Sequence, residues 1–194
     1  MDGRQFFLQQ YDYVRHLVDD MVVGPLDDEQ LKRPSEAGLN SLAWYLWHTA
    51  RWQDFSMRVV AEDGRQVLDE SWQARLHIPR WDLGTGMTAD ECASLNAAIQ
   101  VEGLRAYWKA IGDRVRAVAG GVLPERLDEL VDELRLREAL ADRAIASERA
   151  RWLESFLDAK TVAWWLSFVV WHMAEHLLGG AVCVRRLKGV PLGL

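Results

Sequence analysis

The residues best suited to metal binding or catalysis are two histidines, His172 and His176, near the end of the chain. They lie in an apolar run that starts at Thr161, and its pattern predicts one helix over residues 161–187. Side chains four positions apart share one face of a helix, so the two imidazoles can bind one metal ion. Burying them without a hydrogen bond or a metal costs free energy, so other parts of the chain must satisfy them.

Two known ligand arrangements do not fit this pair. His172 and His176, with Glu175 between them, match the inverted zinc-protease motif, but no Asp or Glu follows His176 to act as third ligand. Di-iron carboxylate bundles need a glutamate three positions before a histidine on two helices, and none of the five histidines has one. The third ligand is therefore expected upstream of the pair.

His48 is the best upstream candidate for the third ligand. It lies in a helix predicted over residues 41–61, and it shares one helical face with Trp44 and Trp52. The two remaining histidines are less suitable, because one has charged neighbours and the other lies in an irregular stretch: His16 and His77. Three histidines would bind one divalent transition metal, zinc or nickel being the first candidates, and would leave a position open for water or substrate. The alternative is that each histidine is a hydrogen-bonded core residue.

The elements that must position these histidines are predicted to be helices. Hydrophobic periodicity indicates long helices over residues 5–23, 41–61, 88–119 and 161–187, a short helix over 124–131, and a weakly patterned helical segment over 133–157. Asn40 or Ser41 is a suitable N-cap for the second helix, and Thr88 and Glu91 have the spacing of a capping box. No strand pattern is present, so the fold class is all-α, most simply a four-helix bundle with additional helical connections.

Residues 65–87 lose helical periodicity, and we call them the 65–87 segment. A long connection of this kind is often a functional loop or lid. No linker or charge block divides the chain, so residues 1–194 are expected to form a single domain.

Composition narrows the possible partners and the compartment. The net charge is −6 and the basic residues are scattered, which argues against a nucleic-acid surface. The longest apolar run is too short for a membrane span, so no membrane association is expected. Two distant cysteines without a CxxC spacing or a secretory leader indicate reduced thiols and a cytoplasmic protein.

The chain resembles the DinB/YfiT-like superfamily over most of its length. The resemblance is carried by residues 44–54 (WYLWHTARWQD), the turn at residues 84–88 (GTGMT) and residues 170–176 (VWHMAEH). It implies an up-down-down-up four-helix bundle, often a homodimer, with one divalent metal bound by a histidine of the second helix and an H-x-x-x-H pair of the last. His48, His172 and His176 match those positions.

Other residues near the three histidines are candidates for substrate binding or catalysis. Five aromatic residues are predicted to form a substrate pocket: Trp44, Tyr45, Trp52, Trp165 and Phe168. Arg51 is a catalytic candidate that would bind an anionic substrate group, and pairing with a carboxylate such as Asp54 is the alternative. Glu175 is a candidate proton acceptor, and a solvated or arginine-paired rim carboxylate is its alternative role.

The resemblance implies an activity as well as a fold. Similar proteins of known activity are thiol S-transferases and thiol-dependent isomerases that use mycothiol, bacillithiol or glutathione. The extra C-terminal domain of the mycothiol-dependent maleylpyruvate isomerases is absent from this sequence. We therefore expect transfer of a low-molecular-weight thiol to a small electrophile. The alternatives are a hydrolase at the same site and a non-catalytic bundle that binds a metal or a ligand.

Overall fold

The computed structural model describes residues 2–34 and 39–178, and helices dominate both ranges. The α-helices of these ranges are α1 (Gly3–Val18), α2 (Asp28–Lys32), α3 (Leu42–Val60), α4 (Glu70–Leu76), α5 (Ala89–Ala98), α6 (Val101–Gly121), α7 (Glu133–Ala139), α8 (Trp152–Leu157) and α9 (Val162–Met173). Turns of π helix cover Asp19–Val23, Leu140–Ala144 and Ala174–Leu178, and turns of 3-10 helix cover Pro124–Asp128 and Glu148–Ala150. Within the described ranges the only β-type pairing is an isolated bridge between Leu130 and Thr161. The predicted all-α class is confirmed.

Four long helices, α1, α3, α6 and α9, form the bundle. The α1 and α6 helices are antiparallel, because Arg4 bonds Gly120 at one end while Arg15 bonds Trp108 nearer the other. The α3 and α6 helices are parallel. Tyr107 bonds Asp54, and farther along both helices Arg114 bonds Asp63, just after the end of α3. The α9 helix is antiparallel to α3, because Tyr45 stacks on His176 while Phe55 contacts Trp165. These directions give the predicted up-down-down-up topology.

The starts of the long helices follow the capping signals of the sequence. Ser41 is the N-cap of α3, and its hydroxyl accepts a hydrogen bond from the backbone N–H of Trp44 at 3.1 Å. Thr88 and Glu91 form the predicted capping box of α5. Thr161 caps α9 in the same manner as Ser41 caps α3. These caps satisfy backbone donors that a helix leaves unpaired at its start.

The helix predicted over residues 88–119 is in fact two helices, which is a correction. Ile99 and Gln100 have extended backbone angles between α5 and α6. The N–H of Gln100 donates to the carbonyl of Leu76 at 3.0 Å, and the ammonium of Lys32 donates to the carbonyl of Ile99. These distant partners replace the hydrogen bonds that a continuous helix would have made. The break contains no Gly or Pro, so the local sequence did not indicate it.

Other connections contain more helix than the periodicity indicated. The 65–87 segment holds the seven-residue helix α4, and the polar stretch after Asp27 holds α2. The weakly patterned residues 133–157 contain α7, α8 and two intervening turns. The last helix is described only to Leu178, and its last described turn is a π turn. The predicted part from 179 to 187 lies outside the described residues.

The end of α4 packs closely against α6 at Gly103. A Cβ atom at this position would lie 2.3 Å from the carbonyl oxygen of Arg75, so only glycine fits there. This contact fixes the 65–87 segment against the bundle. None of the helices within residues 2–34 and 39–178 combines the length and apolar character that a membrane crossing requires.

Candidate metal centre

Three histidines from two antiparallel helices meet inside the bundle. His48 projects from α3, His172 from the end of α9, and His176 from the π turn that continues α9. Their ring centroids are 4.5 to 5.2 Å apart, and one nitrogen of each ring lies within 4.8 Å of the others. A π turn inside a helix is frequent at functional sites. The three predicted ligands are thus brought together.

The donor set fits one divalent transition metal. Zinc binds imidazole nitrogens at about 2.0–2.1 Å in tetrahedral geometry, which places the nitrogens of two ligands roughly 3.3 Å apart. The three nitrogens lie within 4.8 Å of one another, so the rings would have to move closer together to bind one ion. Three protein ligands leave at least one coordination position for another molecule, as in catalytic rather than structural zinc sites.

A backbone hydrogen bond fixes the orientation of His48. Its Nδ1 lies 2.6 Å from the carbonyl oxygen of Leu83, and since a carbonyl only accepts, Nδ1 carries the hydrogen and donates. The neutral ring then has its lone pair on Nε2, the nitrogen left for a metal. Histidines that bind metals usually donate their other N–H to a carbonyl or carboxylate in this way.

Burial keeps the histidines in the neutral form that binds a metal. Burial first, and then the nearby His176, lower the pKa of His48 to about 3, while the hydrogen bond that His48 donates to the carbonyl of Leu83 acts in the opposite direction. The pKa of His172 is lowered to about 2 by burial, followed by the effects of His48 and His176. Burial also lowers the pKa of half-buried His176, while Glu175 acts in the opposite direction. Neutral imidazoles need lose no proton to coordinate a metal.

The lowered pKa values make the stability of the metal-free protein depend on pH. Between pH 6.5 and about 3, unfolding lets His48 bind a proton that the folded state excludes. The free energy of unfolding should therefore fall as the pH falls, by up to about 1.4 kcal/mol per pH unit for each such histidine. Urea unfolding of metal-free protein from pH 7 to 5 measures this slope. His48→Gln should make the slope shallower, and an unchanged slope would contradict the buried neutral ring.

Aromatic side chains enclose the histidines. Trp44 stacks on His48 with centroids 4.5 Å apart, and Tyr45 stacks on His176 at 5.4 Å. Two further rings lie against His172, at 5.5 and 5.0 Å: Trp52 and Phe168. The fifth predicted pocket residue, Trp165, contacts Phe168 instead and is fully buried.

Three of these aromatic residues form packed walls. At most 3% of the surface is exposed in each of the three: Trp52, Trp165 and Phe168. They therefore form the buried side of the site. Trp44 also borders a cavity of about 200 Å³ shared with Ser41 and Cys92. The role of the five residues in substrate binding stays a prediction.

The accessible side of the site is formed by Tyr45, His176 and Glu175. The first two are half-buried, and Glu175 is exposed on the same π turn. A carboxylate at this rim acts electrostatically on His176. This position agrees with the rim alternative for Glu175, and its role as a proton acceptor stays a prediction.

Arg51 lies in a buried hydrogen-bond network. Its guanidinium is buried, donates from Nη1 to Asp54 at 2.9 Å and to the Tyr107 hydroxyl at 3.2 Å, and donates from Nη2 to the carbonyl of Trp81 at 2.8 Å. Gln66 accepts a further bond from Nη2. These bonds favour the carboxylate-paired alternative for Arg51, because both terminal nitrogens already have protein acceptors. A direct role in catalysis or anion binding stays a prediction.

The two other histidines lie elsewhere. His16 is exposed on α1, with Nε2 3.2 Å from a carboxylate oxygen of Asp20. His77 is exposed and ends α4 with a left-handed backbone conformation. Neither belongs to the group of possible metal ligands in the described part of the chain.

Sequence reasoning missed the backbone group that orients His48. The carbonyl of Leu83 has no side-chain signature, and only the adjacent Gly84 gave a signal. Gly84 has a φ of +77°, and a Cβ atom there would lie 2.5 Å from the Trp47 ring. A glycine was therefore needed for the 65–87 segment to approach α3 this closely.

Comparison with known families matches one model to this chain. The model is that of the DinB superfamily, and it covers residues 7–178. A comparison with curated proteins finds no match. The matched residues include all three histidines of the site.

Proposed function

Since this chain belongs to the DinB superfamily, we propose that His48, His172 and His176 bind one divalent transition metal and that the site transfers a low-molecular-weight thiol to a small electrophile. The observation that carries the proposal is the group of three histidine nitrogens within 4.8 Å of one another, two on buried rings and one on a half-buried ring. Zinc and nickel are the first candidates, because imidazole suits both.

When bound, the metal would act as a Lewis acid. It would lower the pKa of a thiol in the open position, so that the thiol would be a thiolate near neutral pH. The protein contributes neutral ligands, which leave the full positive charge of the ion uncompensated. It also contributes the stacked rings of Trp44 and Tyr45, which offer apolar faces to a bound electrophile. The half-buried edge formed by Tyr45 and His176 gives the electrophile its access.

No protein base is needed for the attack of a thiolate. The thiol loses its proton to solvent water before the new sulfur–carbon bond forms, and the leaving group of the electrophile departs as an anion when its bond to carbon breaks. The described site agrees with this, because it consists of imidazoles and aromatic rings, with Glu175 at the exposed rim.

Turnover assays with metal-loaded protein test this proposal. We expect consumption of a generic aromatic electrophile only when a thiol such as mycothiol, bacillithiol or glutathione is present. Activity should vanish in His48→Ala, which removes a proposed ligand, and persist in His16→Ala, which removes an exposed histidine. Thiol-dependent activity that survives in His48→Ala would contradict catalysis at this site.

Hydrolysis is the second candidate function, and it rests on the predicted role of Glu175 as a proton acceptor. This carboxylate lies at the rim next to His176, where it can accept a proton from an attacking water. The same assay separates the two reactions, because hydrolysis needs no thiol and would be impaired by Glu175→Gln. A metal-loaded protein that uses neither thiol nor water would support a non-catalytic metal-binding or ligand-binding bundle.

A free thiol co-substrate also agrees with the expected cytoplasmic location.

We also propose a homodimer formed through an apolar groove between α1 and α9. A cavity of about 290 Å³ lies there, and two of its lining residues are largely exposed aromatics: Phe6 at 55% and Trp171 at 44%. Exposed apolar patches of this kind often mark interaction sites. Light scattering over a concentration series should give twice the chain mass of 22.2 kDa, and Phe6→Glu should shift it to one chain. A mass of one chain for the wild type at all concentrations would refute the dimer.

A further inference from the structure

Three polar side chains on one face of α3 bind the backbone of a single segment. His48, Arg51 and Asp54 are spaced three residues apart, so they form a row along the helix. All three are buried, with at most 5% of their surface exposed. Each of these side chains forms hydrogen bonds with main-chain atoms of the 65–87 segment.

The contacts follow the segment from one end to the other. The carboxylate of Asp54 accepts hydrogen bonds from the N–H groups of Val67 at 2.7 Å and Leu68 at 2.9 Å. The guanidinium of Arg51 donates to the carbonyl of Trp81 at 2.8 Å. Two residues later, the carbonyl of Leu83 accepts the hydrogen of His48 Nδ1.

We propose that Arg51 and Asp54 are positioning residues that set the orientation of the His48 ring through the 65–87 segment. They clamp the backbone at residues 67, 68 and 81, and this clamp places the carbonyl of Leu83 where His48 must donate Nδ1–H to it. The clamp therefore selects the tautomer with its lone pair on Nε2. Neither Arg51 nor Asp54 belongs to the group of three possible metal ligands in the described part of the chain.

The short connection from Trp81 to Leu83 can transmit this position. Asp82 accepts a bond from the N–H of Gly84 at 2.8 Å and pairs with Arg80 at 2.9 Å. The N–H of Leu83 donates to the carbonyl of Ala144 at 3.1 Å. These bonds restrict the backbone around Leu83, and only Asp82 separates Trp81 from Leu83. The proposal therefore requires that a shift at Trp81 also moves the Leu83 carbonyl.

The consequence for metal affinity rests on the proposed function, whereas the orientation of His48 does not. A ring that has lost its carbonyl partner can rotate and populate both tautomers, and only part of the population then offers Nε2. Partners of this kind typically change metal affinity by about 10- to 100-fold.

Nuclear magnetic resonance of the metal-free protein tests the clamp directly. Arg51→Lys keeps the charge but cannot span both Asp54 and the carbonyl of Trp81. We expect hydrogen exchange at His48 Nδ1 to accelerate about tenfold or more in this variant, as for the loss of a buried hydrogen bond.

Arg15→Lys is the matched control for this variant. Arg15 is also buried and donates to a backbone carbonyl, that of Trp108, at 2.7 Å, but it joins α1 to α6. This variant should leave exchange at His48 Nδ1 unchanged once both variants are compared at equal free energy of unfolding. Equal exchange in the two lysine variants would overturn the proposal.

Titration with zinc separates this inference from the proposed function. If the wild type binds zinc, Arg51→Lys should weaken binding about 10- to 100-fold and Arg15→Lys should not. If the wild type binds neither zinc nor nickel, the proposed function fails, while the exchange measurement still decides the clamp.

A measurement on the wild type serves if Arg51→Lys does not fold. The clamp requires that the N–H groups of Val67 and Leu68 and the Nδ1–H of His48 become exposed in one cooperative opening. Their protection against exchange should then respond equally to low concentrations of denaturant. Independent responses of the two amides and the imidazole would overturn the proposal.

Discussion

Replacing any one of His48, His172 or His176 with alanine should abolish stoichiometric metal binding. Each side chain supplies one of the three nitrogens that lie together, and two imidazoles cannot complete the site. The loss of affinity should exceed the roughly 10- to 100-fold loss that follows removal of a residue that only hydrogen-bonds to a metal ligand. Isothermal titration with zinc and with nickel measures it.

Two alanine variants outside the site are the controls. His16 and His77 are exposed and lie on other parts of the bundle, so His16→Ala and His77→Ala should keep the metal affinity of the wild type. Full metal content in one of the three site variants would remove that histidine from the ligand set. Loss of binding in a control would show that a surface histidine, and not the buried group, holds the metal.

Asp54→Ala should lower the free energy of unfolding by about 3–5 kcal/mol. The substitution leaves the buried guanidinium of Arg51 without its carboxylate partner, and removal of one partner from a buried ion pair typically costs this much. It also leaves the N–H groups of Val67 and Leu68 without an acceptor. Chemical denaturation followed by circular dichroism measures the change, which is a large fraction of a typical domain stability of about 5–15 kcal/mol.

Asp12→Ala is the matched control for this stability measurement. Asp12 pairs with Arg116 at 2.8 Å, but both side chains are about half exposed. Exposed ion pairs contribute about 0–1 kcal/mol, so this variant should unfold almost like the wild type. A similarly small effect for Asp54→Ala would mean that the network around Arg51 contributes little to the fold.

Periodicity predicted the parts of the site that depend on one helix. The spacing of His172 and His176 predicts that both lie on one face of the last helix, which the structure forms as α9 and the π turn after it. The helical repeat of α3 similarly predicts the stripe through His48, Trp44 and Trp52. The structure confirms that the three histidines face one another across these two helices. Four long helices were also foreseen, apart from the break that divides α5 from α6.

The contacts that sequence reasoning missed join distant parts of the chain. The break at Ile99 depends on Lys32 and Leu76, which the local pattern of residues 88–119 does not contain. The sequence offers Arg51 both as a ligand of an anionic substrate group and as a partner of Asp54. It does not reveal the bonds of Arg51 to Tyr107 and to the carbonyl of Trp81, which exist only after folding. A backbone acceptor such as Leu83 is equally invisible in a sequence, since every residue has a carbonyl.

The central claim is that this chain binds a metal through its buried histidines, and elemental analysis of protein purified without a histidine tag tests it most directly. The account predicts one divalent transition-metal ion per chain after incubation with excess zinc or nickel and removal of unbound ions. A correctly folded chain that remains free of metal under these conditions would contradict the account.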